Sequence, residues 1–304
     1  MITDVHIIDK MLVMALAVTL WSATRKMRPE DYKDRDILPP EDLATPGVKK
    51  LCPPEKLRPF GMLKARAASL LSRHGIPFLP GSWLVPSDST AAIRTQLEAL
   101  KKEFDKEKEA FLAEYDSVCA AWIGSHPEYD AMLRGSMASP DYVRSRLSFG
   151  WKAFALRVTR HSNLKEDMEN LGNSVFEDIA REARCVRRDV FADRDTLTQK
   201  ALNPLRGLAD KLRGLSFIHP QIASASGLVN ECLERMPAKG PIEGTPLGMA
   251  LALVTLLSDP SALEDATRRM AEGSIQPETL LLPETNEAPA GAVPCGFIAN
   301  VGLW

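Results

Sequence analysis

The feature that most constrains the fold is a helix-forming stretch that begins at Ser89 or Thr90 and runs to Trp122. Its apolar side chains recur three, four or seven positions apart, the spacing of one face of an α-helix. They are Ile93, Leu97, Leu100, Phe104, Phe111, Tyr115 and Trp122. The other face is dense with Lys and Glu. At ~1.5 Å per residue, such a helix is about 50 Å long, so we expect a second helix beside it.

A second stretch with the same apolar spacing, residues 164–215, is the candidate for that neighbour. Its one proline, Pro204, comes near the end. We therefore predict two long antiparallel helices that pair as a coiled-coil arm. Between them, Pro127 and Pro140 stand where helices begin, and residues 149–158 alternate imperfectly, as a short strand does.

The N-terminal third is predicted as two helices with a proline-rich connector between them. Met11–Trp21 is apolar, but it is shorter than the ~20 residues that cross a bilayer. We assign it to a buried first helix, from Asp4 to about Lys26. A second helix follows from Lys56 to His74, with Gly75 as its C-cap. The prolines of residues 76–86 favour a buried loop or a short edge hairpin rather than a central strand.

The predicted fold class is mainly α, with a helical base, a long antiparallel coiled-coil hairpin and a short strand or hairpin element. Helices are expected at residues 217–237, after Thr245-Pro246, and after Asp259-Pro260 as far as about Glu272. The predicted domains are residues 1–88, 89–216, 217–273 and a proline-rich tail, 274–304.

The tail carries four apolar residues that would be wasted in solvent, and they either dock on this chain or bind a partner. They are Phe297, Val301, Leu303 and Trp304.

Charge and cysteine usage limit the class of protein. The net charge of −2 gives no whole-chain electrostatic argument for nucleic acid or an anionic membrane, although a local patch could still bind one. The five cysteines are odd in number, scattered and without a CxxC motif, which argues against a disulfide framework or a zinc site. We expect a soluble, cytoplasmic protein without a metal or cofactor.

No catalytic constellation stands out in the sequence. The five histidines are isolated, and the HExxH, GxSxG and P-loop patterns are absent. We therefore predict that the chain is not an enzyme, and no residue is assigned a catalytic role.

One basic cluster is a candidate binding surface for a partner or a phosphate group. Arg181, Arg184, Arg187 and Arg188 fall on one helical face, with Arg194 two turns further. Arg157 and Arg160 lie nearby in sequence. Guanidinium groups bind phosphate or carboxylate through paired donors. The alternative is that Glu177, Glu182 and Asp189 neutralise these arginines along an exposed helix face.

Several stretches resemble a bacterial and phage family, numbered thirty-one-fifty among the domains of unknown function. They include "LPPEDLATPGVKKLCPPEKLRPFGMLKARAASLLSRHGIPFLPGSWLVP", "VRSRLSFGWKAFAL" and "LNPLRGLADKLRGLSFIHP". The resemblance extends to about Leu257 and carries no catalytic residues. It implies a setting on mobile elements, beside a MoxR-type AAA+ ATPase and a von Willebrand A protein.

We therefore expect a helical adaptor or scaffold that works with a AAA+ ATPase. The alternative is a nucleic-acid-binding accessory protein that uses the face from Arg181 to Arg194.

Overall fold

Two small antiparallel sheets and a larger set of helices make up the described part of the structure. The computed structural model describes residues 10–28, 31, 47–156, 171–192 and 194–281. The strands are β1 (Met11–Leu16), β2 (Thr24–Lys26), β3 (Val48–Lys50), β4 (Ile76–Pro77), β5 (Ser82–Pro86) and β6 (Trp151–Ala155). The helices are α1 (Arg58–His74), α2 (Thr90–Gly124), α3 (Asp130–Arg134), α4 (Pro140–Arg146), α5 (Leu171–Val186), α6 (Asn203–Leu215), α7 (Pro220–Glu234), α8 (Gly244–Leu257), α9 (Pro260–Ala271) and α10 (Pro277–Leu281).

The four-stranded sheet has the order β4-β5-β1-β6, with every neighbouring pair antiparallel, and β2 and β3 form a separate antiparallel pair. The predicted first helix is therefore wrong where the structure describes it, because Met11–Leu16 is β1, one of the two inner strands of this sheet. A short apolar run is compatible with both a buried helix and a buried strand, so its sequence alone does not distinguish them. Here both faces of the run are covered: Met11 and Val13 belong to one hydrophobic core, and Met14 belongs to another.

The predicted hairpin at residues 76–86 is confirmed as β4 and β5, which turn through Gly81 at φ 76°. Its predicted edge position is wrong, because β5 lies between β4 and β1. The prolines explain both results. Pro77 is in the edge strand, where a missing amide is tolerated, and Pro86 is the last residue of β5, so the middle of the strand keeps its donors.

Two hydrophobic cores lie on opposite faces of this sheet. The first core takes Met14 and Val85 from the sheet and is completed by α1, α2 and α4. The second core takes Met11, Val13, Ile76 and Leu84 from the sheet and is completed by helices α5–α10. Because successive strand residues point to opposite faces, β1 and β5 supply both cores from neighbouring positions.

The predicted long helix is confirmed as α2. Its stripe is buried from Ile93 to Tyr115 and continues through Cys119 and Ile123. Trp122 departs from the prediction, because it is half-buried and its Nε1 donates to the carbonyl of Lys50 at 3.2 Å. The neighbours of α2 are α1 and α4, and the Phe60 and Phe104 rings meet edge to face at 5.1 Å.

The second long helix is not confirmed as one rod. Helix α5 passes into a π turn at Arg187–Phe191, Ala192 is extended, and a 3-10 turn at Gln199–Leu202 precedes α6. Pro204 stands in the first turn of α6, where its missing amide has no partner to lose.

The antiparallel coiled-coil pairing is not confirmed either. Helices α5 and α6 contribute to the second core, whereas α2 contributes to the first. Helices α5 and α6 lie against each other and against α7, α8 and α9, and α6 also contacts α1, so α5 and α6 do not form the antiparallel rod predicted beside α2.

The C-terminal helices agree with the sequence. Helix α7 begins after His219, whose Nδ1 accepts from the amide of Gln221 at 3.3 Å. Asp259 caps α9 by accepting from the amides of Ser261 and Ala262. The short helix α10 was not predicted, and its Leu281 is fully buried against the second core. Phe297, Val301, Leu303 and Trp304 lie outside the described residues.

The helices of the described ranges are too short or too polar to cross a bilayer singly. Helices α8 and α9 reach the necessary length and composition only as a pair, and the chain bends by 106° between them.

Gly75 is required by close packing and not by a left-handed C-cap. Gly75 is confirmed as the C-cap of α1, but its φ is −145°, extended backbone that any residue can adopt. A Cβ at this position would lie 2.4 Å from the carbonyl oxygen of Leu84 in β5. We predict that Gly75→Ala lowers the free energy of unfolding by about 1–3 kcal/mol, as overpacking does, measured by urea unfolding.

Gly61 is the matched control, because it lies inside α1 and a methyl group added there would have nothing within 4 Å. Gly61→Ala should raise the free energy of unfolding by about 0.5–1 kcal/mol through helix propensity. Equal effects of the two substitutions would contradict the close approach of α1 and β5.

Candidate functional site

Three of the predicted arginines line one surface cleft of about 470 Å³. Arg184 is in the last turn of α5, and Arg187 and Arg188 are in the π turn that follows. Phe191, Ala192 and Leu251 of α8 complete the lining. We call these six residues the arginine cleft. Single π turns inside helices recur at functional sites, and this one brings Arg187, Arg188 and Phe191 to the same opening.

The three guanidinium groups of the arginine cleft differ in how they are held. Arg184 Nη1 donates to the carbonyl of Ser258 at 2.8 Å, at the C-terminal end of α8, where a cation is favoured. Arg188 donates from Nε and Nη2 to the carboxylate of Asp189 at 2.8 and 3.3 Å. Arg187 is exposed and forms no ion pair with any residue in the described ranges.

The remaining predicted arginines do not reach the cleft. Arg181 pairs with Asp178 instead. Arg194 is exposed and follows the π turn without lining the cleft. Arg157 and Arg160 lie outside the described residues. The expected neutralisation by acidic neighbours is therefore partial: Asp189 takes Arg188, but Glu182 is paired with Lys211.

A buried ionic network fixes the helix that carries these arginines. Lys211 of α6 has 1% of its side chain exposed and donates to Asp178 and Glu182 of α5, both at 2.5 Å. Burial lowers the pKa of Lys211, and the Glu182 carboxylate opposes that effect. Since Asp178 and Glu182 are one turn apart on the buried side of α5, the pair sets its rotation. That rotation turns Arg184 toward α8.

The apolar floor of the cleft could not be recognised from the arginine pattern. Phe191 is buried, while Leu251 is 41% exposed on α8. The signal lies in "LGMALALVTLL", which has apolar residues around the whole helix. A helix of that composition either is buried on every side or leaves an apolar side chain in solvent.

The described ranges contain no group of three or more His, Cys, Asp or Glu side chains able to hold a metal ion. Every buried side-chain polar atom in those ranges has a hydrogen-bond partner. Ser125 and His126 are in contact at 3.0 Å, but both also contact the carbonyl of Trp122 at the end of α2. The contact between these two side chains is therefore part of the C-terminal end of α2.

Comparison with known proteins identifies the family. The model of DUF3150, described as a protein of unknown function, matches residues 8–259. The chain belongs to this family. The match includes α1–α8, so the arginine cleft lies within the family region. Neither a curated protein nor a solved structure matches the chain.

Removing the buried cation should destabilise the second core. We predict that Lys211→Ala lowers the free energy of unfolding by about 3 kcal/mol, because the buried carboxylate of Asp178 loses its buried counter-ion and keeps only the exposed Arg181. Thermal and urea unfolding measure the loss. Lys200→Ala, at an exposed position just before α6, should change stability by less than about 0.5 kcal/mol. A similarly small effect for Lys211→Ala would contradict the network.

Cys185 lies between Arg184 and Arg187 and is exposed, whereas Cys52, Cys119 and Cys232 are buried. Burial raises the pKa of Cys52 to about 12 and that of Cys232 to about 11. In a Cys295→Ser background, we predict that a thiol reagent modifies Cys185 in the native protein and the other three only after unfolding. A further Cys185→Ser change should abolish the native reaction. Equally fast reaction of Cys52 or Cys232 would contradict the packing.

Proposed function

We propose that this chain is a non-enzymatic adaptor or scaffold that engages a protein partner through the arginine cleft. The observation that carries the proposal is a set of three arginines around an apolar floor, with Arg187 lacking a carboxylate partner among the described residues. Such a surface suits a protein segment that presents an acidic side chain next to an apolar one. The long helix α2, expected from the sequence to act as half of an arm, forms part of the first core instead.

Binding of an acidic partner by these arginines is energetically favourable for three reasons. A carboxylate that reaches Arg187 forms a charge-assisted bond without displacing an existing ion pair. Arg184 is already oriented by the Ser258 carbonyl, so less side-chain entropy is lost when it binds. Leu251 then offers apolar area that is exposed in the free chain.

The proposed partner is a MoxR-type AAA+ ATPase or a von Willebrand A protein, in a complex associated with a mobile element. This choice rests on the gene neighbourhood that the family resemblance implies, which is an association and not a contact. It suits a chain whose described residues carry a binding cleft and no metal cluster.

The second candidate is nucleic-acid binding on the same arginines, favoured by the convergence of Arg184, Arg187 and Arg188 on one cleft. Two features weigh against it. Phosphate contacts dominate nucleic-acid affinity, and the exposed carboxylate of Asp189 lies beside them. The net charge of −2 adds no favourable long-range field.

Charge reversal at the unpaired arginine tests the proposal. We predict that Arg187→Glu weakens binding of the host's purified MoxR-type ATPase about tenfold or more, because one charge-assisted bond is worth about 1.5–3 kcal/mol. Isothermal titration calorimetry measures the change. The substitution breaks no ion pair in the described structure, so the melting temperature should be unaffected.

Arg194→Glu is the matched control, since it makes the same charge change at an exposed position outside the cleft. It should leave the affinity for the ATPase nearly unchanged. An equal loss at both positions, together with DNA or RNA binding that weakens steeply with salt, would favour the nucleic-acid candidate. Full binding by Arg187→Glu would exclude the cleft.

A further inference from the structure

Among the described residues, strand β6 is an edge of the four-stranded sheet, and it is separate from the arginine cleft. Gly150 and Ala17 exchange both backbone bonds, at 2.8 and 3.1 Å, as do Ser148 and Thr19. In an antiparallel pair, bonded and non-bonded positions alternate. In the register Leu16↔Trp151, Met14↔Ala153 and Leu12↔Ala155, the amides and carbonyls of Trp151, Ala153 and Ala155 therefore point away from β1.

These outward groups have no partner in the described structure, since β6 is the terminal strand of the sheet. The side chains of residues 152–155 are exposed, and Phe154 is 46% exposed. An exposed, regular edge is a template for another strand unless charges, prolines or bulges protect it. Residues 151–155 contain a single charge, Lys152, and no proline.

We propose that this edge pairs with the same strand of a second copy of the chain. The two β6 strands would run antiparallel about a two-fold axis through Ala153, which joins two four-stranded sheets into one. Only the outward-pointing residues can form bonded pairs, so the register is limited to pairs among Trp151, Ala153 and Ala155. With the two-fold axis at Ala153, the outward amides and carbonyls of Trp151, Ala153 and Ala155 are hydrogen-bonded in both copies.

The side chains of this strand are complementary to themselves in that register. Each Trp151 would face the small Ala155 of the second copy, and Ala153 would face its own equivalent. On the other face of the sheet, each Lys152 would lie opposite Phe154, a cation–aromatic pair. The two Lys152 side chains are not directly opposite, so the pairing avoids like-charge repulsion. A strand from a different protein would pair equally well only if its own sequence placed a small residue opposite Trp151 and an aromatic residue opposite Lys152.

The oligomeric state of the full chain, and a proline substitution, test the proposal. We expect sedimentation velocity to show a dimer whose fraction rises with protein concentration. Ala153→Pro removes a donor that makes no bond within the chain and should raise the dimer dissociation constant about tenfold or more. Ala153→Thr keeps the donor and should leave the dimer intact. Circular dichroism and the melting temperature check that both variants fold.

Cross-linking tests the register itself and does not depend on the proline variant. In a Cys185→Ser, Cys295→Ser background, Ala153→Cys places two thiols at a symmetric pair, with Cα atoms about 5.5 Å apart, within disulfide range. Ala155→Cys is the matched control, because its symmetry mate lies four residues along the partner strand, roughly 13 Å away.

Oxidation of Ala153→Cys to a covalent dimer, with little from Ala155→Cys, would establish the pairing. A monomer at every concentration would overturn it. So would a dimer that survives Ala153→Pro and forms no cross-link at position 153, because such a dimer uses another surface. Equal cross-linking at both positions would reject the register.

Discussion

Strand β1 is the constraint on which the rest of the structure depends. It is hydrogen-bonded to β5 on one side and to β6 on the other, and its side chains pack into two separate hydrophobic cores. Met11 and Val13 face the helices of the C-terminal half, whereas Met14 faces α1 and α2. A change of pairing by one residue would exchange these faces, so the register of β1 holds both helical layers in place.

The arginine cleft is a consequence of how the second core ends. Two contacts hold helix α5 in place. Lys211 of α6 donates to Asp178 of α5, and Arg184 of α5 donates to the carbonyl of Ser258 at the end of α8. Beyond these contacts, the helix widens into the π turn and stops at Ala192. The widened turn allows Arg187 and Arg188 to share an opening with Phe191 and Leu251. The arginines of the proposed binding surface and the contacts that stabilise the second core therefore lie close together along the same helix.

The sequence predicted most helices because their signals are local. The stripe of α2, the Asp259-Pro260 start of α9 and Pro140 at the start of α4 each act within a few residues. It could not predict which distant segments meet. Met11–Leu16 became a strand only because β5 and β6 pair with it. Residues 164–215 looked like one rod because leucine spacing does not say which core the leucines enter.

The placement of α2 and α5 on opposite faces of the sheet is tested most directly by a distance between spin labels. Lys102→Cys in α2 and the native Cys185 in α5 provide exposed sites, in a Cys295→Ser background. An antiparallel arm closing between residues 124 and 164 would bring these positions together, with helix axes about 8–10 Å apart. The two-core fold predicts a separation well beyond that of adjacent helices, because α2 and α5 contribute to cores on opposite faces of the sheet. A short distance, typical of adjacent helices, would contradict it.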